Sequence, residues 1–442
     1  MSGRAAAIRD GLGLRRRPRS GSKDKPLEYT LLLTATMCLL TFGAVMVFSA
    51  SSSASLLNDG DSLYYLKRTL LFGAFGLVAL KVLSMQRLAN VRRLTGTLLI
   101  AALGLLLVTK VIGTSANGAQ RWIPLGPVQV QPSEIAKVAL LLYGVSLLAD
   151  RPQMTRDLRS MRPILLMAAA VCGLIMVEPD LGTAMVTACS VAALLIAAGA
   201  KLRHLAMIAG AILLLVVVAV IMEPYRMARL TSFIDPGADA AGAGFQGQQA
   251  TIALGSGGIF GVGIGESVQK AFYLPEAHTD MIAAVIGEEL GLLGISLLVG
   301  LYMLFGYAGF RTAQKAKDRY GRLLAAGLTA MILVQASINL FAVMGLAPLT
   351  GVTLPFVSYG NSSLIVTLAA VGLLLNVANG GSARMSAGGE RRFLVVEGGR
   401  ARRQPSAPRR PAARGGSRAG ADRGRRHGRA RGSGAGRRRR AR

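Results

Sequence analysis

Long apolar runs alternate along the chain with short polar or basic breaks. A bilayer core about 30 Å thick takes roughly 20 apolar residues in a helix. Ten runs approach that length: 29–51, 66–84, 94–112, 134–149, 163–177, 181–199, 203–222, 281–310, 322–346 and 352–378. The pattern predicts an all-α polytopic membrane fold of about ten transmembrane helices. The first run follows a basic segment and is trailed by the small residues Ser49–Ser55. That run is too long for the core of a signal peptide, so it reads as an uncleaved first span. No repeat of solenoid or propeller period interrupts the pattern.

The breaks set the orientation. With the N-terminus in the cytoplasm, the inner loops are 85–93, 150–162, 200–202 and 311–321, and the C-terminus is also cytoplasmic. Those loops hold Arg87, Arg92, Arg93, Arg151, Arg156, Arg159, Arg162, Lys201, Arg311, Lys315, Lys317 and Arg319, as the positive-inside rule requires. Of the sixteen Asp and Glu in 29–383, only Asp150, Asp157 and Asp318 fall on that side. Acids contribute little to topology, so their concentration at the outer face points to chemistry there. Two outer loops are long, 113–133 and 223–280. A long loop without charge runs or low complexity is more often functional than a linker.

Composition agrees with this outline. The chain has 442 residues, 52% of them apolar and only 17% charged, with a mean hydropathy of +0.46. These values exclude an ordinary soluble enzyme. The net charge of +29 resides mostly in the tails: residues 1–28 carry eight Lys/Arg against three acids, and 384–442 carry twenty against three. Three domains follow: a basic cytoplasmic tail at 1–28, a membrane body at 29–379, and an Arg-rich disordered tail at 380–442. The second tail suits anionic lipid on the cytoplasmic leaflet. With a single Trp, a nucleic-acid stacking surface is not expected. Cys38, Cys172 and Cys189 lie inside apolar runs and read as buried small hydrophobes.

Ionisable groups at membrane depth are costly and usually functional, and four clusters stand out. In Pro132-Ser133-Glu134-Ile-Ala-Lys137, Ser133 can cap a helix whose dipole favours the Glu134 anion. Lys137 follows one turn later, either as a local partner of Glu134 that snorkels outward or as a substrate or catalytic group. In Glu178-Pro179-Asp180, a preceding run of only about fifteen residues sets the carboxylates below the outer surface, unless they form a surface turn. The third cluster is Leu274-Pro275-Glu276-Ala-His278-Thr279-Asp280, followed by Glu288-Glu289. Here Asp280 is either an N-cap or a base facing the bundle interior, on one helical face with Ala284, Gly287, Gly291 and Gly294. Fourth, the run Leu354-Pro355 through Ser358-Tyr359-Gly360-Asn361-Ser362-Ser363 suggests a broken helix lining a cavity, or packing through small residues.

No Walker loop, zinc motif or nucleophile elbow is present. A candidate base, a candidate cation and an apolar body able to hold lipid tails remain. That inventory fits glycosyl transfer from a lipid diphosphate, in which a hydroxyl needs a base and the leaving group needs cationic stabilisation.

At this point the chain resembles a known family. Gln120-Arg-Trp-Ile, Gln131-Pro-Ser-Glu-Ile-Ala-Lys, Glu178-Pro-Asp-Leu-Gly, Arg229-Leu-Thr-Ser-Phe-Ile-Asp-Pro, Leu274-Pro-Glu-Ala-His-Thr-Asp, Gly287-Glu-Glu-Leu-Gly and Pro355-Phe-Val-Ser-Tyr-Gly look like the signatures of the SEDS proteins (shape, elongation, division and sporulation). They occur in that family's order and span roughly residues 29–379. Gly265-Glu-Ser-Val-Gln-Lys looks more like the division branch than the elongation branch. Departures occur at Met281, Ala283 and Asn361.

The resemblance implies a ten-helix peptidoglycan glycosyltransferase that polymerises lipid II at the outer face of the cytoplasmic membrane, at the division septum. Asp280 corresponds to the family's catalytic aspartate, and Lys137 to a lysine held to face it. Substrate contacts are expected from Glu134, Arg229, Gln120, Arg121, Trp122, Glu178, Asp180, Glu276, His278, Thr279, Glu288, Ser358 and Ser362. The implied partners are a class B penicillin-binding transpeptidase and other division proteins. A divalent cation, Mg or Mn, is compatible with the family, but no ligand set in the sequence demands one. A precursor flippase and a non-catalytic division scaffold are the competing readings.

Overall fold

A computed structural model of the chain describes residues 25–383, apart from 117, 118, 126, 127, 223, 236–241, 243 and 271–273. The expectations for the two tails fall on 1–24 and 384–442, outside the described residues. The body is helical throughout its apolar runs: α1 (Leu27–Asp59), α2 (Tyr64–Met85), α3 (Leu88–Ile112), α4 (Pro132–Asp150), α5 (Arg162–Val177), α6 (Leu181–Ala197), α7 (Leu202–Ile221), α8 (Pro224–Ile234), α9 (Phe245–Ser256), α10 (Ile282–Lys315), α11 (Arg319–Val343) and α12 (Asn361–Ala378). Seven of these are long and apolar enough to cross a bilayer, and α5, α6 and α7 are shorter apolar helices. Together they are the ten expected runs in their expected order. The protein is a polytopic membrane protein.

The boundaries differ from the sequence reading in instructive places. Helix α1 runs on through the serines to Asp59 and stops at Gly60, whose φ of 70° is a left-handed cap. Those serines do not break the helix because hydroxyls return to their own backbone, as Ser51 does to Val47 O at 2.7 Å. The last run loses its first nine positions, since helix begins at Asn361 rather than 352. The long loop before α10 holds two helices, α8 and α9. The all-α expectation also needs a small amendment. Residues 113–131 carry a three-stranded antiparallel sheet of β1 (Thr114–Ala116), β2 (Ala119–Leu125) and β3 (Val128–Val130). Trp122 pairs with Thr114, and Ile123 with Val130.

The core lies around α4, α11 and α12, whose apolar windows are 72%, 72% and 67% buried, against 28% for α2 and α3 at the periphery. The cysteines correct another expectation. Cys38 and Cys189 are exposed on the bundle's outer side and Cys172 is half-buried. Facing lipid tails satisfies a small apolar group as well as burial does.

One segment departs from helix inside the bundle. Residues 349–360 are irregular, and neighbouring helices close on them. A Cβ on Gly43 of α1 would stand 2.5 Å from Phe356 O, and one on Gly182 of α6 would stand 2.4 Å from Thr350 O. Only glycine permits these approaches. Non-helical backbone at membrane depth persists only when protein satisfies it, and that requirement shapes the site.

Helix α10 is also interrupted. Gly291 has φ 62° and ψ −158°. The loop after α9 fills the gap: Leu292 N donates to Gly258 O at 2.9 Å and Val262 N donates to Glu288 O at 3.0 Å. The face expected to join Asp280, Ala284, Gly287, Gly291 and Gly294 is therefore cut at its fourth member.

Candidate functional site

The N-termini of α4, α6, α10 and α12 bring Glu134, Asp180, Asp280 and Ser362 to one end of the bundle. The Arg/Lys loops lie at the other end, where Arg92 bonds Asp150 and Lys315 bonds Glu28 at 2.5 Å. Segment 349–360 is the meeting point of the predicted clusters.

Asp280 precedes α10, whose N-cap is Met281 with no side-chain capping bond. The capping alternative therefore falls away. The carboxylate is half-buried, accepts a hydrogen bond from Thr279 Oγ1 at 3.2 Å, and lies 3.9 Å from where a Cβ on Gly351 would stand. Thr279 also donates to Glu276 at 2.9 Å. Burial and the nearby Glu276 charge push the Asp280 pKa up to about 6, while Thr279, the backbone and Arg229 oppose the shift. That value suits a group that must take a proton near neutral pH.

Lys137 is 3% exposed and so does not snorkel. Its ammonium contacts both oxygens of Glu134 at 3.0 and 3.1 Å and donates to Gln335 Oε1 at 2.6 Å. Ser133 does not cap α4. Gln131 occupies that position, and Ser133 Oγ is enclosed without a hydrogen bond among the described residues. The link from Lys137 to Asp280 is indirect. Gln335 Nε2 donates to Thr353 O at 3.0 Å. Asn339 Nδ2 donates to Asp280 O at 2.7 Å and to Val352 O at 2.8 Å.

The carboxylates of the α5–α6 turn are buried within the protein, Glu178 at 1% and Asp180 at 3% exposure, rather than at the surface. Asp180 caps α6 by accepting from Thr183 N at 3.0 Å and from Gln131 Nε2 at 3.2 Å. Arg121 reaches from β2 to the carbonyls of Glu178 and Pro179 and lies 4.0 Å from Asp180. Neither carboxylate oxygen of Glu178 has a hydrogen-bond partner that meets normal geometry among the described residues. Burial, and then the Asp180 charge, raise its pKa to about 7.

Arg229 donates from α8 to Leu349 O at 3.2 Å. It also lines a groove of about 480 Å³ between α8, α9 and the end of α11, with Phe233, Gln248, Thr251 and Met344. The groove is largely apolar, and the Arg229 charge acts on Asp280. His278 clusters with Tyr65 and Tyr359, its ring tilted 48° and 50° to theirs with centroids 4.3 and 5.6 Å away. Burial holds its pKa below the usual imidazole value, against the opposing charge of Glu276.

Other candidates serve the backbone. Ser358 Oγ accepts from Leu354 N at 2.8 Å. Ser362 Oγ donates to Gln129 O at 2.9 Å and accepts from Gln131 N at 3.1 Å. Gln120 donates to Gly113 O at 2.6 Å, at the foot of the sheet. Glu288 and Glu289 turn toward the loop after α9. Glu288 accepts from Ser267 at 2.5 Å and from Val268 N at 3.0 Å. Glu289 pairs with Lys270 at 2.7 Å and with Ser49 at 2.7 Å. These two acids anchor a loop and do not join Asp280.

Among the described residues, no three His, Cys, Asp or Glu side chains assemble into a metal-ligand set. The carboxylate nearest Asp280 is that of Glu276, and both lie against the Thr279 hydroxyl. Sequence reasoning missed Gln335, Asn339, Lys270 and Ser49. Gln335 and Asn339 left one signal, two amides four residues apart within an apolar run.

The chain matches the cell cycle protein family of FtsW, RodA and SpoVE over residues 29–382. It is 44% identical over 353 residues to a probable peptidoglycan glycosyltransferase FtsW of Thioalkalivibrio sulfidiphilus, covering 78% of this chain and 88% of the relative. Stage V sporulation protein E of Bacillus subtilis is 38% identical over 351 residues, covering 79% and 96%. Among solved structures, a chain from a peptidoglycan synthase complex superposes with a TM-score of 0.66 at 32% identity, covering 78% and 96%. The rod shape determining protein RodA of Thermus thermophilus gives 0.59 at 30% identity, covering 78% and 95%.

Proposed function

The chain belongs to the FtsW, RodA and SpoVE family, and from that membership and its site we infer that it is a peptidoglycan glycosyltransferase of the division type, embedded in the cytoplasmic membrane. Its substrate is lipid II, used as both donor and acceptor at the outer face. The observation that carries the mechanism is the half-buried Asp280 carboxylate, raised toward neutral pH and acted on by the charge of Arg229, which also lines an apolar groove.

Asp280 takes the proton from the sugar 4-hydroxyl of the acceptor. The oxygen attacks the anomeric carbon of the lipid-linked donor and inverts it, the bond to the diphosphate oxygen breaks, and undecaprenyl diphosphate leaves with the bonding pair. The leaving group is already anionic, so it needs a cation and no general acid. Arg229 supplies that cation at the groove, where the lipid tail is held. Lys137, committed to Glu134 and Gln335, keeps a fixed positive charge behind the site. His278 and Thr279 shape the wall around Asp280.

A class B penicillin-binding transpeptidase is the partner that cross-links the product. The similarity to a chain of a peptidoglycan synthase complex supports this pairing. The septum is the working location, supported by the FtsW names of the relatives.

The test is glycan polymerisation from lipid II by the purified protein, with and without a transpeptidase that has no polymerase activity. Polymer from wild type and none from Asp280→Ala is expected. If neither condition gives polymer while the reconstituted protein moves lipid II between leaflets, the flippase reading replaces this one. If Asp280→Asn complements a depletion strain fully, the protein is a scaffold.

A further inference from the structure

Two uncharged side chains on α11 touch both halves of the site. Gln335 and Asn339 are four residues apart, hence on one helical face, and each is 2% exposed. An ammonium can only donate, so Lys137 fixes Gln335 with its oxygen toward Nζ at 2.6 Å and its amide nitrogen toward Thr353 O at 3.0 Å. Two carbonyls, Asp280 O at 2.7 Å and Val352 O at 2.8 Å, fix Asn339 with its nitrogen inward. Both amides thus have one orientation.

Thr353 and Val352 are neighbours in the irregular segment. The bonds therefore form one path from Glu134 and Lys137, through Gln335 and Thr353–Val352, to Asn339 and the Asp280 backbone. Asn339 Oδ1 is enclosed and accepts no hydrogen bond among the described residues. An orphaned buried acceptor is destabilising, so packing alone would favour an apolar side chain here. What leucine could not do is meet the two buried carbonyls.

We propose that Gln335 and Asn339 are positioning residues that hold the Asp280 backbone and the Lys137 ammonium in one frame; the proposal rests on the glycosyltransferase reading above. Neither touches the reacting carboxylate. Asn339 fixes where the carboxylate is rooted, and Gln335 fixes the cation and the wall of the site between them.

The experiment titrates lipid II against the full-length protein with its transpeptidase partner and reads initial polymerisation rates. Asn339→Leu, Gln335→Leu and the double variant are compared, each checked for monodispersity and thermal unfolding. Turnover at saturating lipid II is expected to fall ~10–100-fold, the scale of an ångström-sized misplacement. Half-saturation should stay within about twofold, because binding contacts are untouched. The double variant should lose less than the product of the single losses, because both residues serve one frame. If Asn339→Leu does not accumulate, Gln335→Leu, which leaves the Asp280 contact in place, carries the same test. Folded variants with wild-type turnover, or a loss confined to half-saturation, overturn the positioning role while wild-type polymer keeps the transferase. Absence of polymer from wild type with its partner overturns the transferase reading and this proposal's premise together.

Discussion

If Asp280 is the base, the rate must follow its ionised fraction. Burial first and the Glu276 charge second raise its pKa from 3.8 to about 6. A base works when deprotonated, so activity is lost as pH falls. With a midpoint at 6, about nine-tenths of the carboxylate is ionised at pH 7 and about one-tenth at pH 5, roughly a tenfold drop in rate. An ordinary aspartate with its midpoint near 3.8 would remain largely ionised at pH 5 and show almost no drop. The neighbours give the sign of two further shifts. Glu276→Gln removes a like charge and moves the midpoint toward acid; Arg229→Gln removes an opposing cation and moves it toward neutrality. The assay measures initial rates of lipid II polymerisation from pH 4.5 to 8. Protein held at pH 5 and returned to pH 7 controls for inactivation. A flat profile between pH 5 and 8, or a midpoint that neither variant moves, would refute Asp280 as the base.

Lys270 and Glu289 form a buried ion pair, 5% and 0% exposed at their side chains. Lys270→Met or Glu289→Leu alone should cost about 3–5 kcal/mol by leaving a buried charge, and the paired replacement should recover most of it. Thermal unfolding in detergent measures this, and a double variant as unstable as the sum of the singles would contradict it. Glu178 holds its proton up to about pH 7 in the native state but releases it near 4.5 when unfolded. Native stability is therefore lost as pH rises from 4.5 through 7. Glu178→Gln should become progressively more stable than wild type across that window and keep a constant margin above it; parallel unfolding curves over pH 4.5–7 would contradict the account.

The membrane spans were legible because each is a long apolar run, and the length of a run reports helix without any tertiary knowledge. Asp280 stood out in the sequence because a charge at membrane depth is rarely idle. Gln335 and Asn339 were not, because an uncharged amide in an apolar run barely changes its hydropathy. Lys270 entered only as the last residue of Gly265-Glu-Ser-Val-Gln-Lys; its partners Glu289 and Ser49 are 19 and 221 residues away in sequence. The sheet was missed because β1 and β3 have only three residues each. Their pairing depends on the ends that α3 and α4 present to them. Glu288 and Glu289 looked like part of the Asp280 cluster by spacing alone, but the break at Gly291 admits a loop that claims both.

The irregular segment explains why motifs so far apart in sequence belong together. Buried backbone without helix must find partners elsewhere, and the partners here come from several parts of the chain. Arg229 meets Leu349 O, Asn339 meets Val352 O, Gln335 meets Thr353 O, and Tyr302 meets Pro355 O. Tyr359 N returns a bond to His278 O at 2.9 Å. The segment's hydrogen-bond demand thus gathers a cation, two amides and the loop that carries Asp280 around one point. A regular helix over 349–360 would satisfy its own backbone and need none of them. The broken helix is therefore what assembles the site, and a change that restored helix there should scatter the site's residues while leaving the ten spans intact.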